Sequence, residues 1–325
     1  MPSPAGPSVE IRLASPRGFC AGVERAILMV ERAIAKYGAP IYVRHEIVHN
    51  RTVVERLAAL GAVFVDDVAD CPADRPLVFS AHGAPKAAFE AARRRGIFHL
   101  DATCPLVSKV HNEAERHHAE GRHVLLIGHA GHPEVLGALG RLPEGAMSLI
   151  QTAEDARAYQ WDGVTPLAFV TQTTLSVDEA AEISGVLKAR FADLVGPVKE
   201  DICYATTNRQ EAVKQMADGC DLVLVVGSKT SSNSVRLVEV AARSGAKIAR
   251  LIDGAEDIDW SWIKDKAVVG LTAGASAPES LVQKVIDAIA ARYELLVRDV
   301  APMRENISFK LPRVLAERGP SEALP

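Results

Sequence analysis

Three cysteines sit in turns of one kind. Cys20, in IRLASPRGFCAGVERAILMVERAI, Cys104, in IFHLDATCPLVSKVHNEAERHH, and Cys203, in VKEDICYATTNRQEAVKQMA, recur at intervals of 84 and 99 residues. Each follows a short apolar run and opens a stretch of helical period. A cysteine at a helix N-terminus ionises readily, because free backbone N–H groups and the helix dipole favour the thiolate. Soft thiolates select zinc or iron–sulfur clusters. Complete clusters usually carry four cysteine ligands, so three without a matching fourth leave one metal corner open to a reactant. One such cysteine alone reads as a small buried apolar residue; the threefold recurrence is what favours a metal site. Cys71, before Pro72, and Cys220, in DGCDLVLVV, lie off the pattern and read as structural. Five cysteines, an odd number widely spread, argue against a disulfide framework.

Two further loop types recur in the same order. The second carries His49 in IYVRHEIVHNRTVVERLAAL, His132 in HVLLIGHAGHPEVLGALGRL, and Ser231, Ser232 and Asn233 in DLVLVVGSKTSSNSVRLVEVAARSG. The third carries His82 in PLVFSAHGAPKAAFEAARRRG, Thr173 and Thr174 in PLAFVTQTTLSVDEAAEISGVL, and Ser276 in AVVGLTAGASAPESLVQKVIDAI. Hydroxyls, amides and imidazoles at helix starts form an anion site, since unpaired N–H groups there favour phosphate. A single run such as SKTSSNS is ordinary helix capping, but several such loops facing one cavity point to a diphosphate-sized anion. Glu134, two residues after His132, is a carboxylate able to move a proton to a leaving hydroxyl beside an open metal corner. Thr173 and Thr174 are placed to hold that hydroxyl or relay the proton. A first-turn glutamate is also favoured simply by the dipole. The HxE pattern lacks the P-C-x-x-C of zinc deaminases, and neither G-x-G-x-x-G nor G-x-x-x-x-G-K-[ST] occurs. His111, His117, His118 and His123 fall in a polar helix and the loop after it and read as a solvated face. Arg93 to Arg95 close a helix C-terminus, where cations are favourable.

The elements that must position these residues are nine strand–loop–helix units, three of each type. Their alternation reads as βαβ units around mostly parallel sheets. The matching intervals predict three similar α/β domains, over 21–103, 104–199 and 200–298. The strand of Val9 to Ala14 needs a sheet to join, and 9–20 is assigned to the third domain. Residues 1–8 and 299–325 read as mobile tails. The 325 residues are 48% apolar and 24% charged, a globular composition. A net charge of −4 leaves no surplus to neutralise a phosphate backbone, so nucleic acid is not an expected partner. Runs such as Leu222 to Val226 fall far short of the roughly 18 apolar residues of a membrane helix. The opening MPSPAGPSVE is not a secretory signal, and a cytoplasmic location is expected.

Together these residues resemble one family, the 4-hydroxy-3-methylbut-2-enyl diphosphate reductases of the non-mevalonate isoprenoid pathway. The matching stretches are RGFCAGVERAI, HEIVHN, FSAHGAP, DATCPLV, GHPEV, TQTTLS, DICYATTNRQ, VGSKTSSNS and TAGASAPE, in order from about Pro16 to Arg292. The resemblance implies a three-lobed α/β fold with pseudo-threefold symmetry around a central iron–sulfur cluster. It implies a [4Fe–4S] cluster held by Cys20, Cys104 and Cys203, whose open iron takes the substrate's hydroxyl; the three cysteines by themselves also fit a three-iron cluster. By resemblance the diphosphate substrate is bound by His49, His82, His132, Thr173, Ser231, Ser232, Asn233 and Ser276. Glu134 matches the proton-delivering acid, with His132, Thr173 and Thr174 alongside. The implied reaction consumes two electrons from ferredoxin or flavodoxin, releases water, and yields isopentenyl and dimethylallyl diphosphates. Two other readings remain open on the residues alone: a zinc-dependent hydrolase of a phosphorylated metabolite, and a non-catalytic iron–sulfur sensor of an isoprenoid diphosphate.

Overall fold

A parallel strand covered on both faces must be apolar at every position, and LVLVV, LAFVT and HVLLI have that character. They form the strands at the heart of the fold, which is known from a computed structural model describing residues 7–264, 267–300 and 303–316. In order the chain forms β1 (Ser8–Ala14), α1 (Ala21–Tyr37), β2 (Ile41–Arg44), α2 (Arg51–Ala59), β3 (Ala62–Val65), β4 (Leu77–Phe79) and α3 (Lys86–Arg94). Next come β5 (His99–Asp101), α4 (Pro105–Ala119), β6 (His123–Ile127), α5 (Pro133–Leu139), β7 (Met147–Ile150), α6 (Ala153–Ala158), β8 (Leu167–Thr171) and α7 (Val177–Arg190). The last are α8 (Tyr204–Ala217), β9 (Leu222–Val226), α9 (Ser232–Arg243), β10 (Ala249–Ile252), β11 (Val268–Ala273), α10 (Glu279–Ala290), β12 (Glu294–Val300) and α11 (Arg313–Ala316).

The described residues fall into two compact units, divided after Cys20, Cys203 and Ile307. The first unit holds one parallel sheet, in the order β10-β9-β11-β1-β12. Successive β9 side chains alternate between its faces. Leu222, Leu224 and Val226 pack with Leu281, Val282, Val285 and Ile289 of α10. Val223 and Val225 pack with Val213 and Met216 of α8 and Leu237 and Val240 of α9. Each such Val or Leu stabilises the fold by about 1.5–3 kcal/mol relative to leaving it exposed. β12 lies at the sheet edge, where its Arg298 and Asp299 face outward, charges that discourage pairing with another chain.

The second unit holds two parallel sheets, β3-β2-β4-β5 and β7-β6-β8. In the latter, Leu125, Ile127 and Phe169 pack with Ile183 and Leu187 of α7, and Val124, Leu126 and Val170 pack with Val110 and Ala114 of α4. One order recurs in all three sheets. The strand before each second-type loop (β2, β6, β9) is flanked by the strand after its helix (β3, β7, β10) and by the strand before the third-type loop (β4, β8, β11). The segment leading to a cysteine turn then joins outside: β5 before Cys104, β1 before Cys20, and Val195, bridged to Ala168, before Cys203. β1 therefore completes the sheet of β9 to β12 and does not begin a sheet with β2.

Three expectations need revising. Asp299 and Val300 complete β12 and are not tail. In the second unit Lys310 and Val314 offer carbonyls to Arg25 (3.0 Å) and Lys36 (2.7 Å), while Leu315 of α11 is buried. Residues 1–6, 301–302 and 317–325, also assigned to the tails, lie outside the described residues. The polar helix α4 hides two of its histidines: His111 and His117 are buried, and burial pushes the His111 imidazole down to about 4. Helix polarity reports composition, whereas the face a histidine takes depends on the sheet the helix covers.

Candidate active site

In parallel sheets every strand ends on the same side, and the helix N-termini that follow point there. The three loop types occupy these ends. In the second unit His49 follows β2, His82 follows β4 and His132 follows β6, and their rings meet. His49 and His82 stack with centroids 4.1 Å apart, and His132 stands edge-on to both at 6.0 and 6.1 Å. Burial first, and then the neighbouring imidazoles, hold His82 well below the ordinary histidine range. Burial, with His49 and His129, lowers His132 to about 4. His82 and His132 are thus poorly protonated until a negative charge arrives. Glu46 anchors His49 through Nδ1 at 3.0 Å, and buried Asn50 caps α2 by accepting from the Val53 N–H.

Glu134 lies in the first turn of α5, where His132 is the cap and accepts from the Glu134 N–H at 3.2 Å. Its carboxyl is 3% exposed. One oxygen accepts from the Thr173 N–H at 2.7 Å and the other from the Thr173 hydroxyl at 3.0 Å. Burial pushes the Glu134 carboxyl up to about 7, against the lowering effect of those two bonds and with some help from Asp201. A buried carboxyl that titrates near neutrality is a proton donor rather than a structural anion. An imidazole lowered by burial and a carboxyl raised by burial therefore share one helix start.

In the first unit, Ser231 caps α9, accepting from the Ser234 N–H. The same oxygen accepts from the hydroxyls of Ser234 (3.0 Å) and Ser276 (3.3 Å). Asn233, also buried, accepts from the Ala275 N–H at 2.9 Å and donates to Thr206 at 3.3 Å. Ser232 begins the helix beside them and is half-buried. This cluster contains hydroxyls and an amide but no titratable group. It depends on close approach: a Cβ at Gly227 or Gly274 would come within 2.2 or 2.0 Å of the Ser234 hydroxyl.

Each patterned cysteine precedes or caps a helix: Cys20 before α1, Cys104 at the cap of α4, Cys203 before α8. Each is held by the same backbone bond to a third-type loop. Cys20 N–H donates to Ala275 (3.2 Å), Cys104 N–H to Ala81 (3.0 Å) and Cys203 N–H to Thr173 (3.1 Å). All three side chains are partly exposed, whereas Cys71 and Cys220 are fully buried. The Cys71 and Cys220 thiols donate to backbone carbonyls, and burial pushes both up. The donor chemistry thus separates three cysteines suited to metal from two that are inert. Among the described residues no three His, Cys, Asp or Glu side chains group around a single metal ion.

Two residues at the site were not legible in the sequence. Buried Gln172 accepts from the His129 N–H (3.0 Å) and donates to the Thr174 hydroxyl (2.8 Å), bracing Thr174 against the β6 loop. Ser234 donates to Ser231 from both its N–H and its hydroxyl. The repeat pattern marked their loops, but not which members of TQTTLS and SSNS turn inward.

The profile of the LytB protein family matches residues 11–290. The chain is 63% identical over 310 residues to the 4-hydroxy-3-methylbut-2-enyl diphosphate reductase of Hyphomonas neptunium, covering 95% of this chain and 98% of that protein. It is 61% identical over 313 residues to the protein of that name from Phenylobacterium zucineum, covering 96% and 99%. Among solved structures it superposes on the E-1-hydroxy-2-methyl-but-2-enyl-4-diphosphate reductase of Plasmodium falciparum with a TM-score of 0.89. That pair is 36% identical, over 95% of this chain and 97% of the other.

Proposed function

We infer the activity from one premise: this chain belongs to the LytB protein family. It is a 4-hydroxy-3-methylbut-2-enyl diphosphate reductase, an oxidoreductase of isoprenoid biosynthesis. Two electrons and two protons enter, the C–O bond to the hydroxyl breaks, and water leaves with an isopentenyl or dimethylallyl diphosphate. The observation that carries the assignment of roles is Glu134, buried, titrating near 7 and held by Thr173 on the helix that His132 caps.

Glu134 gives its proton to the departing hydroxyl, with the Thr173 hydroxyl fixing the carboxyl's direction. Thr174, braced by Gln172, is the second hydroxyl in reach of that chemistry. His49, His82 and His132 bind the diphosphate, and His82 and His132 gain protons as the anion enters. Ser231, Ser232, Asn233 and Ser276 bind it through neutral donors at the start of α9. A fixed diphosphate orients the carbon chain for reaction. Cys20, Cys104 and Cys203 are the ligands of a [4Fe–4S] cluster with one open iron, and their helix-start positions and partial exposure support that choice. When bound, the cluster supplies electrons and a Lewis-acidic corner. Reduced ferredoxin or flavodoxin is the electron donor. Cysteines that form no disulfide among the described residues suit a reducing, cytoplasmic setting, and among the described residues no helix is long and apolar enough to cross a membrane.

Anaerobic single turnover tests the assignment. The reduced protein is expected to convert one equivalent of substrate, with iron and acid-labile sulfide present. Cys104→Ser is expected to lose most of both, and Cys71→Ser to keep them. Release of the substrate unchanged by a fully loaded, reduced protein would refute the activity.

A further inference from the structure

We propose that Arg25, Lys109 and Arg209 are backbone clamps: each is borne by the helix that one cysteine opens, and each fixes the segment leading to the next cysteine. The proposal rests on the ligand roles of Cys20, Cys104 and Cys203 given above. Arg25 lies five residues after Cys20 on α1, Lys109 five after Cys104 on α4, and Arg209 six after Cys203 on α8. Five or six residues advance a helix about 8–9 Å, which carries the cation away from its own cysteine.

The targets recur as regularly as the cations. Arg25 donates to the carbonyls of Ala102 (3.4 Å) and Thr103 (3.3 Å), the two residues before Cys104. Lys109 donates to the carbonyls of Lys199 (2.5 Å) and Glu200 (3.2 Å) and to the Asp201 carboxylate (2.7 Å), just before Cys203. Arg209 donates to Gly18 from two nitrogens (3.0 and 2.8 Å) and to Phe19 (3.1 Å), the two residues before Cys20. The order closes on itself: the helix after Cys20 serves Cys104, the helix after Cys104 serves Cys203, and the helix after Cys203 serves Cys20.

These carbonyls lie in irregular segments just before a helix, so neither ladder nor helix satisfies them. Charged donors supply the missing bonds, and such bonds are roughly twice as strong as neutral ones. With the cysteine N–H tied to a third-type loop, each turn is gripped on both sides. Arg209 is the most committed clamp: it is fully buried and its remaining nitrogen is occupied by Ala205 and by Glu305, at 3.0 and 3.1 Å. Lys109 and Arg25 are half-buried. In each case the cation grips a turn that bears a proposed cluster ligand, and positive charge near a cluster favours its reduced form.

Hydrogen–deuterium exchange on the iron-free protein reads the clamps directly. Arg25→Gln is expected to speed exchange about tenfold at 102–104, Lys109→Met at 199–203, and Arg209→Lys at 18–20. Exchange at the mutated helix's own start should be unchanged, and Lys109→Arg should restore protection at 199–203. On the reconstituted protein, Arg25→Gln should move the cluster's midpoint potential negative and Arg25→Lys should return it. Exchange that rises equally at both cysteine turns, or only at the mutated helix, overturns the proposal. So does an Arg25→Gln potential equal to that of the unmodified protein. If Arg209→Lys fails to fold, the half-buried Arg25 and Lys109 decide. Unmodified protein that takes up no iron or sulfide would refute the ligand roles instead, and the exchange arm would still read the clamps.

Discussion

The loops after β6 and β9 hold the same place in their sheets and do opposite chemistry. Both begin a helix with a cap side chain that accepts a backbone N–H: His132 from Glu134 at α5, Ser231 from Ser234 at α9. After β6 the cap is an imidazole lowered to about 4, followed by a carboxyl raised to about 7. After β9 the cap is a hydroxyl, joined by Ser234, Ser276 and Asn233, none of which titrates. One capping geometry thus recurs in both loops, and residue type alone adds titratable groups to one of them. A repeated fold can divide labour in this way because the helix start binds anions whatever the side chain.

The sharpest break in that contrast is Glu134→Gln. Gln keeps the shape and one acceptor for the Thr173 N–H but has no proton to give, so turnover should fall about 10²–10⁴-fold. Iron content and substrate affinity should stay near the native values; steady-state kinetics beside iron analysis checks this.

The same variant should also alter stability. Between about pH 4.5 and 7 the folded chain keeps the Glu134 proton that the unfolded chain releases. Stability from this group is complete below 4.5 and lost as pH rises through 7, a loss of about 3 kcal/mol. Urea unfolding at pH 5 and pH 8 should show this slope in the native chain and its disappearance in Glu134→Gln. His132 works in the other direction: its stabilisation is lost as pH falls from 6.5 towards 4.

Binding should show the asymmetry next. An anion entering beside His82 and His132 raises their lowered imidazoles, so protons are taken up and affinity grows as pH falls. Pyrophosphate is expected to bind about tenfold more tightly at pH 6 than at pH 8, and His132→Asn should reduce that ratio. Calorimetry in buffers of different ionisation enthalpy counts the protons. Ser231→Ala tests the other loop and should have the smallest effect. It removes a cap worth about 1 kcal/mol, visible as a lower thermal midpoint, while the pH dependence of binding keeps its slope.

Much of this arrangement was legible because it is local. The buried strands announce themselves as apolar runs, and Ser231 and Thr173 stand one loop beyond such runs. Cys71 and Cys220 were separable from the other cysteines by their place outside the turns. What escaped is non-local. His111 and His117 sit in a polar stretch, yet α4 turns them against its neighbours. Gln172 looks like any loop amide until His129 and Thr174 are found on either side of it. The segment after β12 carries no periodicity, and its Glu305 gains meaning only opposite Arg209.

By itself, the amino-acid order determined the parallel α/β class, the recurring loops and the residue types at the strand ends. Hydrophobic alternation and helix capping act over a few residues, and a linear text contains both. Tertiary structure alone decided that Glu134 is buried against Thr173 and so titrates near 7. It also decided that three imidazoles meet, and that Arg25, Lys109 and Arg209 reach backbone from 77 to 191 residues away. Desolvation and the choice of a polar partner depend on what the folded chain brings near, and no short window of sequence encodes that.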